Sequence, residues 1–320
     1  MDIKNVLVIA PYHYDHIVAT LVEGLHTLGV KVFSNSDHNY VKPANVMQST
    51  MGLKRLSQMT DVVVLAHSAL ESKYAGVIQP ILGEIKAEVF CDGSDYSDFE
   101  ANPSDYKLYL KRELNKENIP PKSSNVEPFI FGVEKRYSMN KMTDFLKMWR
   151  SKTENLACIM SCCPKREWRF DIVKALEEAF GHDERYFIGE YRDGEALKTV
   201  DTGDRHFSGY FQKLLSAQIS VDSWGCGQAR QTGRFWESLA NGCLVMYQKI
   251  DPYIWPEPFV EDYHFVVYEN PTDLVDKAKF YAEHQLDARK IAERGYDYML
   301  RHHTTQARGK QFLSLIDKYL

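Results

Sequence analysis

The sequence predicts an α/β protein built from two doubly wound, parallel-sheet halves. Three observations carry that prediction. Short runs rich in Val, Ile, Leu and Cys alternate with helical patterns along most of the 320 residues. A polar, Pro-bearing stretch with little periodicity, 115–128, interrupts the alternation once. Polar clusters follow directly on apolar runs, and parallel sheets bind ligands beyond the carboxyl ends of their strands.

The elements follow in order. NVLVIA (5–10) is an uninterrupted apolar run, as expected of a strand covered on both faces. HIVATLVEGLHTL (16–28) sets Ile17, Leu21, Leu25 and Leu28 on one helical face, and Gly29 ends it. VKVFS (30–34), DVVVLAH (61–67) and AEVFCD (87–92) are further strands, with a helical pattern at 75–86. FIFGVEKRYSMN (129–140) reads as a last strand and a linker. The second series has strands at 155–163, 185–191 and 219–225, with helices at 168–180 and 207–218 between them. GRFWESLANG (233–242) is a helix closed by Gly242; strands follow at 243–248 and 264–269, then helices at 272–301 and 304–320. A hinge at 135–152 separates domains 1–140 and 150–303.

Composition narrows the function classes. The chain is 44% hydrophobic and 26% charged, with a net charge of −5, so no global basic field draws it to nucleic acid or anionic lipid. Its 19 tyrosines suit a cleft for a polar ligand as well as ordinary packing. Cys91, Cys158, Cys162, Cys163, Cys226 and Cys243 form no C-x-x-C pair and no zinc spacing. Several lie in apolar runs, which favours a reducing compartment. MDIKNVLVIAP is too short an apolar run for a signal peptide, and no stretch is long enough for a transmembrane segment. A cytoplasmic location is expected.

Three loops of the first half carry polar side chains at strand ends: His13, Asp15 and His16 in PYHYDH, His67 in HSALES, and Asp92 and Asp95 in DGSDYSDFE. A histidine oriented by a carboxylate can take a proton from an attacking hydroxyl. Asp15 and His16 are equally suited to cap the helix that follows. In the second half, Glu237 lies one turn after Arg234 in GRFWESLANG. A carboxylate there can accept both hydroxyls of a ribose, and the loop before it can offer amides to phosphate at a helix N-terminus. A plain Arg–Glu surface pair fits the same spacing. Lys165, Arg166 and Arg169 in CCPKREWR are candidate phosphate ligands, with Arg230 and Arg234 in competition. Gly233 closes DSWGCGQARQTG, a Gly-bearing segment able to approach phosphate closely.

GRFWESLANGCLVM resembles the R-x-x-E-x-L-A-x-G segment of GT-B glycosyltransferases of group 1, most of all the spore-maturation CgeB-like branch. HFVVYENPTDLVDKAKFYAEH looks like the strand and helix that follow it there. Gly295, His303, Thr304 and Arg308 match a closing G-x7-H-T-x3-R element, and DYKLYLKREL resembles a Y-x-K-R-E stretch that follows a D-G-x-D turn, here Asp92, Gly93 and Asp95. The resemblance implies two Rossmann-like domains facing across a cleft, an acceptor on the first and a nucleotide-sugar on the second, with helix 304–320 packing back on the first. It implies no cofactor and no bound metal, the nucleotide-sugar being a co-substrate, and Glu237 as the ribose ligand. Many retaining relatives carry two glutamates spaced E-x7-E; the earlier position is Ala229 here. The acceptor stays open among a glycan, a lipid-linked saccharide, a protein, a small molecule and a modified nucleobase. A non-catalytic binding protein on the same scaffold and a GT-B-like sugar-nucleotide epimerase are the alternatives.

Overall fold

The computed structural model describes residues 2–10, 15–35, 45–47, 49–70, 75–94, 96–115, 117, 119, 124–138, 144–162, 167–192, 195–196, 209–225, 232–249 and 254–320. The chain divides into two compact units, Met1–Glu134 with Pro252–Pro258 and His303–Leu320, and Lys135–Asp251 with Phe259–His302.

In the first unit, strands β1 (Asn5–Ile9), β2 (Lys31–Ser34), β3 (Val62–Ala66), β4 (Val89–Asp92), β5 (Leu108–Lys111) and β6 (Val126–Pro128) form one parallel sheet in the order β2-β1-β3-β4-β5-β6. Alternation along β1 splits its side chains between two cores. Val6 and Val8 join Val18, Leu21 and Leu25 of helix α1 (His16–Thr27) and Phe312 and Ile316 of a C-terminal helix. Leu7 and Ile9 join Leu53 of α2 (Thr50–Ser57) and Ile81 of α3 (Ala75–Leu82). Burial on both faces is why these strands read as unbroken apolar runs. Gly29, at φ 82°, turns the chain out of α1 in a conformation that a side chain would strain.

The second unit starts with α4 (Phe145–Arg150), whose Phe145, Met148 and Trp149 lie in its core, so part of the stretch expected to be a hinge is packed helix. Its sheet comprises β7 (Glu154–Cys162), β8 (Tyr186–Arg192), β9 (Glu195–Ala196), β10 (Ala217–Asp222), β11 (Leu244–Gln248) and β12 (Val266–Tyr268), in the order β12-β11-β10-β7-β8-β9. All neighbours are parallel except β8 and β9. Helices α5 (Trp168–Phe180), α6 (Gly209–Ser216), α7 (Gly233–Ala240), α8 (Pro271–Glu283) and α9 (Gln285–His302) complete it. Gly242, at φ 70°, ends the α7 segment. The pattern at 272–301, expected as one helix, is two: α8 stops at His284 (φ −102°, ψ 60°), whose amide still bonds Phe280 O at 2.8 Å.

Helix α10 (Thr305–Tyr319) returns to the first unit and crosses α1 where Gly24 meets Gly309. A Cβ on Gly24 would lie 2.2 Å from Thr305 O and one on Gly309 2.7 Å from Gly24 C, so backbone packs on backbone. Thr304 caps α10 through Ala307 N–H at 3.2 Å, and the His303 carbonyl accepts from Val133 N–H at 2.8 Å. The closing H-T-x3-R element thus docks the last helix.

Candidate active site

The strand order of the first sheet reverses between β1 and β3, and the loops beyond those strands flank the crevice where α/β sheets bind ligands. Asp15 is the N-cap of α1. Its Oδ1 accepts from Ile17 N–H at 2.8 Å and Val18 N–H at 3.2 Å, and its Oδ2 accepts from the Ser68 hydroxyl. Next to Ser68, His67 Nδ1 accepts the Gly93 amide at 3.1 Å, which places the proton of a neutral ring on Nε2. The loops after β1, β3 and β4 are therefore bonded to one another at the carboxyl ends of the strands. Oδ2 of Asp15 makes that joint, while Oδ1 fills the capping role that its position before α1 permits. His16 is exposed, with its ring edge-on to Phe131 at 5.4 Å.

Asp92, expected on the acceptor side, is instead a buried hub. Its side chain is 0% exposed, as is that of Lys111, and the two pair at 2.8 Å. Asp92 also accepts from Tyr109 Oη at 2.6 Å, Ser94 N–H at 3.0 Å and Glu100 N–H at 3.2 Å, while Lys111 Nζ donates to Ser94 Oγ and Asp98 O. Burial pushes the Asp92 carboxyl up, but the Lys111 charge and the hydrogen bonds outweigh it and hold the group below the usual carboxylate range. The Y-x-K of β5 and the D-G turn after β4 are thus one network that ties Ser94, Asp98 and Glu100 to the sheet. It cannot face a substrate, because an ion pair this far from water must spend its bonds internally.

In the second unit the strand order reverses between β7 and β10. Asp222 closes β10, and its carboxylate is 1% exposed. Oδ1 accepts Arg234 Nε at 2.9 Å and Nη2 at 2.7 Å; Oδ2 accepts the Thr232 hydroxyl. Burial works against the Arg234 charge, but Asp222 more than offsets it and holds the guanidinium protonated. Thr232 is the N-cap of α7 by backbone (φ −104°, ψ 163°), yet its side chain makes no capping bond because the hydroxyl is turned to Asp222. Its own N–H is held by Tyr247 Oη at 3.1 Å. The first turn of α7, from Gly233, thus lacks the side-chain oxygen that usually occupies a helix N-terminus, and such a terminus attracts anions. One turn on, Glu237 is half-buried, and its Oε2 accepts Tyr210 Oη from α6 at 2.7 Å.

The structure brings Gly233, Arg234 and Glu237 together on α7. Arg234, expected as a phosphate ligand, has its Nε and Nη2 turned to Asp222. Arg169, another expected ligand, is 1% exposed and donates to Ser223 O at 3.3 Å and to Trp224 O. With Trp168 Nε1 on Ser223 Oγ at 2.9 Å, it anchors the start of α5 to the β10 loop. His13, Asp95, Lys165, Arg166 and Arg230 lie outside the described residues. Sequence reasoning missed Asp222 and Tyr210. Asp222 had a signal, as the charged residue that closes the apolar run ISV before a Gly-bearing loop. Tyr210 had none, because an aromatic on a helix reads as core.

Residues 171–314 match a family model described as glycosyl transferase-like. The segment contains Asp222, Arg234 and Glu237. Among solved structures, the chain is similar to an alpha-glucosyltransferase in complex with UDP-glucose and DNA containing an abasic site (TM-score 0.63, 9% identity, 98% of this chain and 99% of that one). It is similar also to a glycosyltransferase from Rickettsia africae ESF-5 (TM-score 0.61, 12% identity, 100% and 99%). A third is Anabaena Alr3699/HepE in complex with UDP-glucose (TM-score 0.58, 8% identity, 98% and 99%). The fold is GT-B. No curated protein matches the sequence. In this GT-B chain, among the described residues, no helix is long and apolar enough to cross a membrane. Cys91, Cys158 and Cys243 are buried thiols.

Proposed function

We propose that the chain is a glycosyltransferase that moves a sugar from a nucleotide-sugar donor to an acceptor hydroxyl or amine. The observation that carries this reading is the first turn of α7. Its cap hydroxyl is diverted to Asp222 and so takes no first-turn amide, Phe235 N–H turns back to Thr232 O at 3.2 Å, and Glu237 stands one turn along, inside the segment that matches the glycosyl transferase-like model. In this reading the diphosphate rests on the α7 N-terminus, aided by Lys165, Arg166 or Arg230, and Glu237 accepts the ribose hydroxyls. Helix dipoles and cations stabilise the leaving diphosphate, so the reading needs no bound metal. Similarity to structures holding UDP-glucose supports a UDP-sugar as the first donor to try.

The acceptor belongs to the loops beyond β1, β3 and β4. His13 is the candidate base, with His16 and His67 beyond the carboxyl ends of β1 and β3. The GRFWESLANG and HHTTQAR segments support a place beside the CgeB-like branch, and the buried thiols of Cys91 and Cys243 support a cytoplasmic setting. The test is release of nucleotide from a panel of UDP-, GDP- and ADP-sugars incubated with the full chain. Release of one nucleotide, raised by an added acceptor, supports transfer. Binding without release would point to a non-catalytic scaffold, and release without a glycosylated product to an epimerase or hydrolase.

A further inference from the structure

Tyr210 and Glu237 lie 27 residues apart on different helices, and the phenol donates to Oε2 of the carboxylate at 2.7 Å. Glu237 has three side-chain torsions, so an unanchored carboxylate would swing out of the plane in which it can take two vicinal hydroxyls. Each carboxylate oxygen accepts twice, so a bond from Tyr210 leaves room for a second donor on Oε2.

The phenol is itself fixed. Tyr210 lies edge-on to Phe211 at 4.9 Å, and Phe211, 2% exposed, stacks on Tyr137 at 5.5 Å. The other end of α6 is tied to the end of α7 by one buried ammonium: Lys152 Nζ donates to Leu214 O at 3.0 Å, Leu215 O at 3.3 Å and Asn241 O at 3.0 Å. The two helices therefore keep a set spacing, and with it the reach from phenol to carboxylate. Burial pushes the Tyr210 phenol pKa up, and the Glu237 charge pushes it further, so the group stays a protonated donor at any working pH.

We infer that Tyr210 is a positioning residue that aims the Glu237 carboxylate and so sets the preference for a ribose over a 2′-deoxyribose donor. The inference rests on the reading of Glu237 as the ribose ligand. UDP, GDP and ADP, each against its 2′-deoxy form, are titrated calorimetrically into the full chain, into Tyr210→Phe and into Glu237→Gln. The wild type should prefer one ribose form by about tenfold or more, the scale of a charge-assisted hydrogen bond. Tyr210→Phe should cut that ratio to about threefold or less while leaving affinity for the 2′-deoxy form within about twofold, because only the aimed bond is lost. An unchanged ratio in Tyr210→Phe, with the ratio abolished in Glu237→Gln, overturns the inference alone. No binding, or no ribose preference in the wild type, overturns the Glu237 reading and the inference with it. A melting temperature for Tyr210→Phe close to wild type shows that the phenol, not the fold, was tested.

Discussion

Arg234 donates from Nε and Nη2 to a single oxygen of Asp222, at 2.9 and 2.7 Å, and the other oxygen of Asp222 holds the Thr232 hydroxyl. One buried carboxylate therefore fixes both the N-cap and the first turn of α7. Asp222→Asn strips the guanidinium of its counter-charge and should destabilise the protein by about 3 kcal/mol, the low end for breaking a buried pair. Urea unfolding checks this. A loss under about 0.5 kcal/mol would show that the pair is merely superficial.

The Asp92–Lys111 pair makes stability depend on pH. The folded carboxyl is held below its ordinary value, so its contribution is present above the unfolded value of about 3.9 and is lost as pH falls through the folded value. Asp92→Asn should cost about 3–5 kcal/mol at pH 7, and the difference from wild type should shrink as the medium is acidified below about pH 4. Denaturant unfolding at pH 7 and pH 3 measures both. An equal gap at both pH values would mean that the network owes nothing to the Asp92 charge.

The Asp15 geometry separates capping from chemistry. Asp15→Ala removes the bonds to Ile17 and Val18 and should cost about 1 kcal/mol, whereas Asp15→Asn, an equally good cap, should cost only a few tenths. His13→Ala should slow transfer by about 10²-fold with donor affinity kept, the scale of a lost general base. Thermal melts follow the first pair of variants. Steady-state rates beside donor titrations follow the last, and full transfer activity in His13→Ala would remove it from the chemistry.

The α1–α10 crossing tolerates no side chain. Gly309→Ala puts a methyl 2.7 Å from the Gly24 backbone, which cannot yield as a flexible side chain would. A destabilisation of about 2 kcal/mol is expected, as for overpacking. A melting temperature equal to wild type would mean that the helices separate freely.

Much of this architecture is written in local pattern. Runs such as VLVI and VVVL are strands because both faces are covered, and Gly29 and Gly242 mark helix ends because those positions need a positive φ. Strand β5 is not legible in DYKLYLKREL because Tyr109 and Lys111 break its apolar run; the Asp92 contacts show that they point inward. Helix α4 was missed because six residues give too little periodicity, and α2 because it buries one residue, Leu53, and so carries no apolar stripe. At the site, the spacing of Arg234 and Glu237 put both on α7, but spacing cannot say which way a guanidinium turns. The partners that decide it, Asp222 and Tyr210, come from other elements.

On the proposed reading, α7 binds a nucleotide diphosphate with Glu237 on the ribose. Calorimetric titration of UDP into the wild type and into Glu237→Gln tests it most directly. Binding by the wild type is expected, with a loss of about 1–3 kcal/mol in Glu237→Gln and an unchanged melting temperature for the unliganded protein. Equal affinity in a folded Glu237→Gln protein would contradict it.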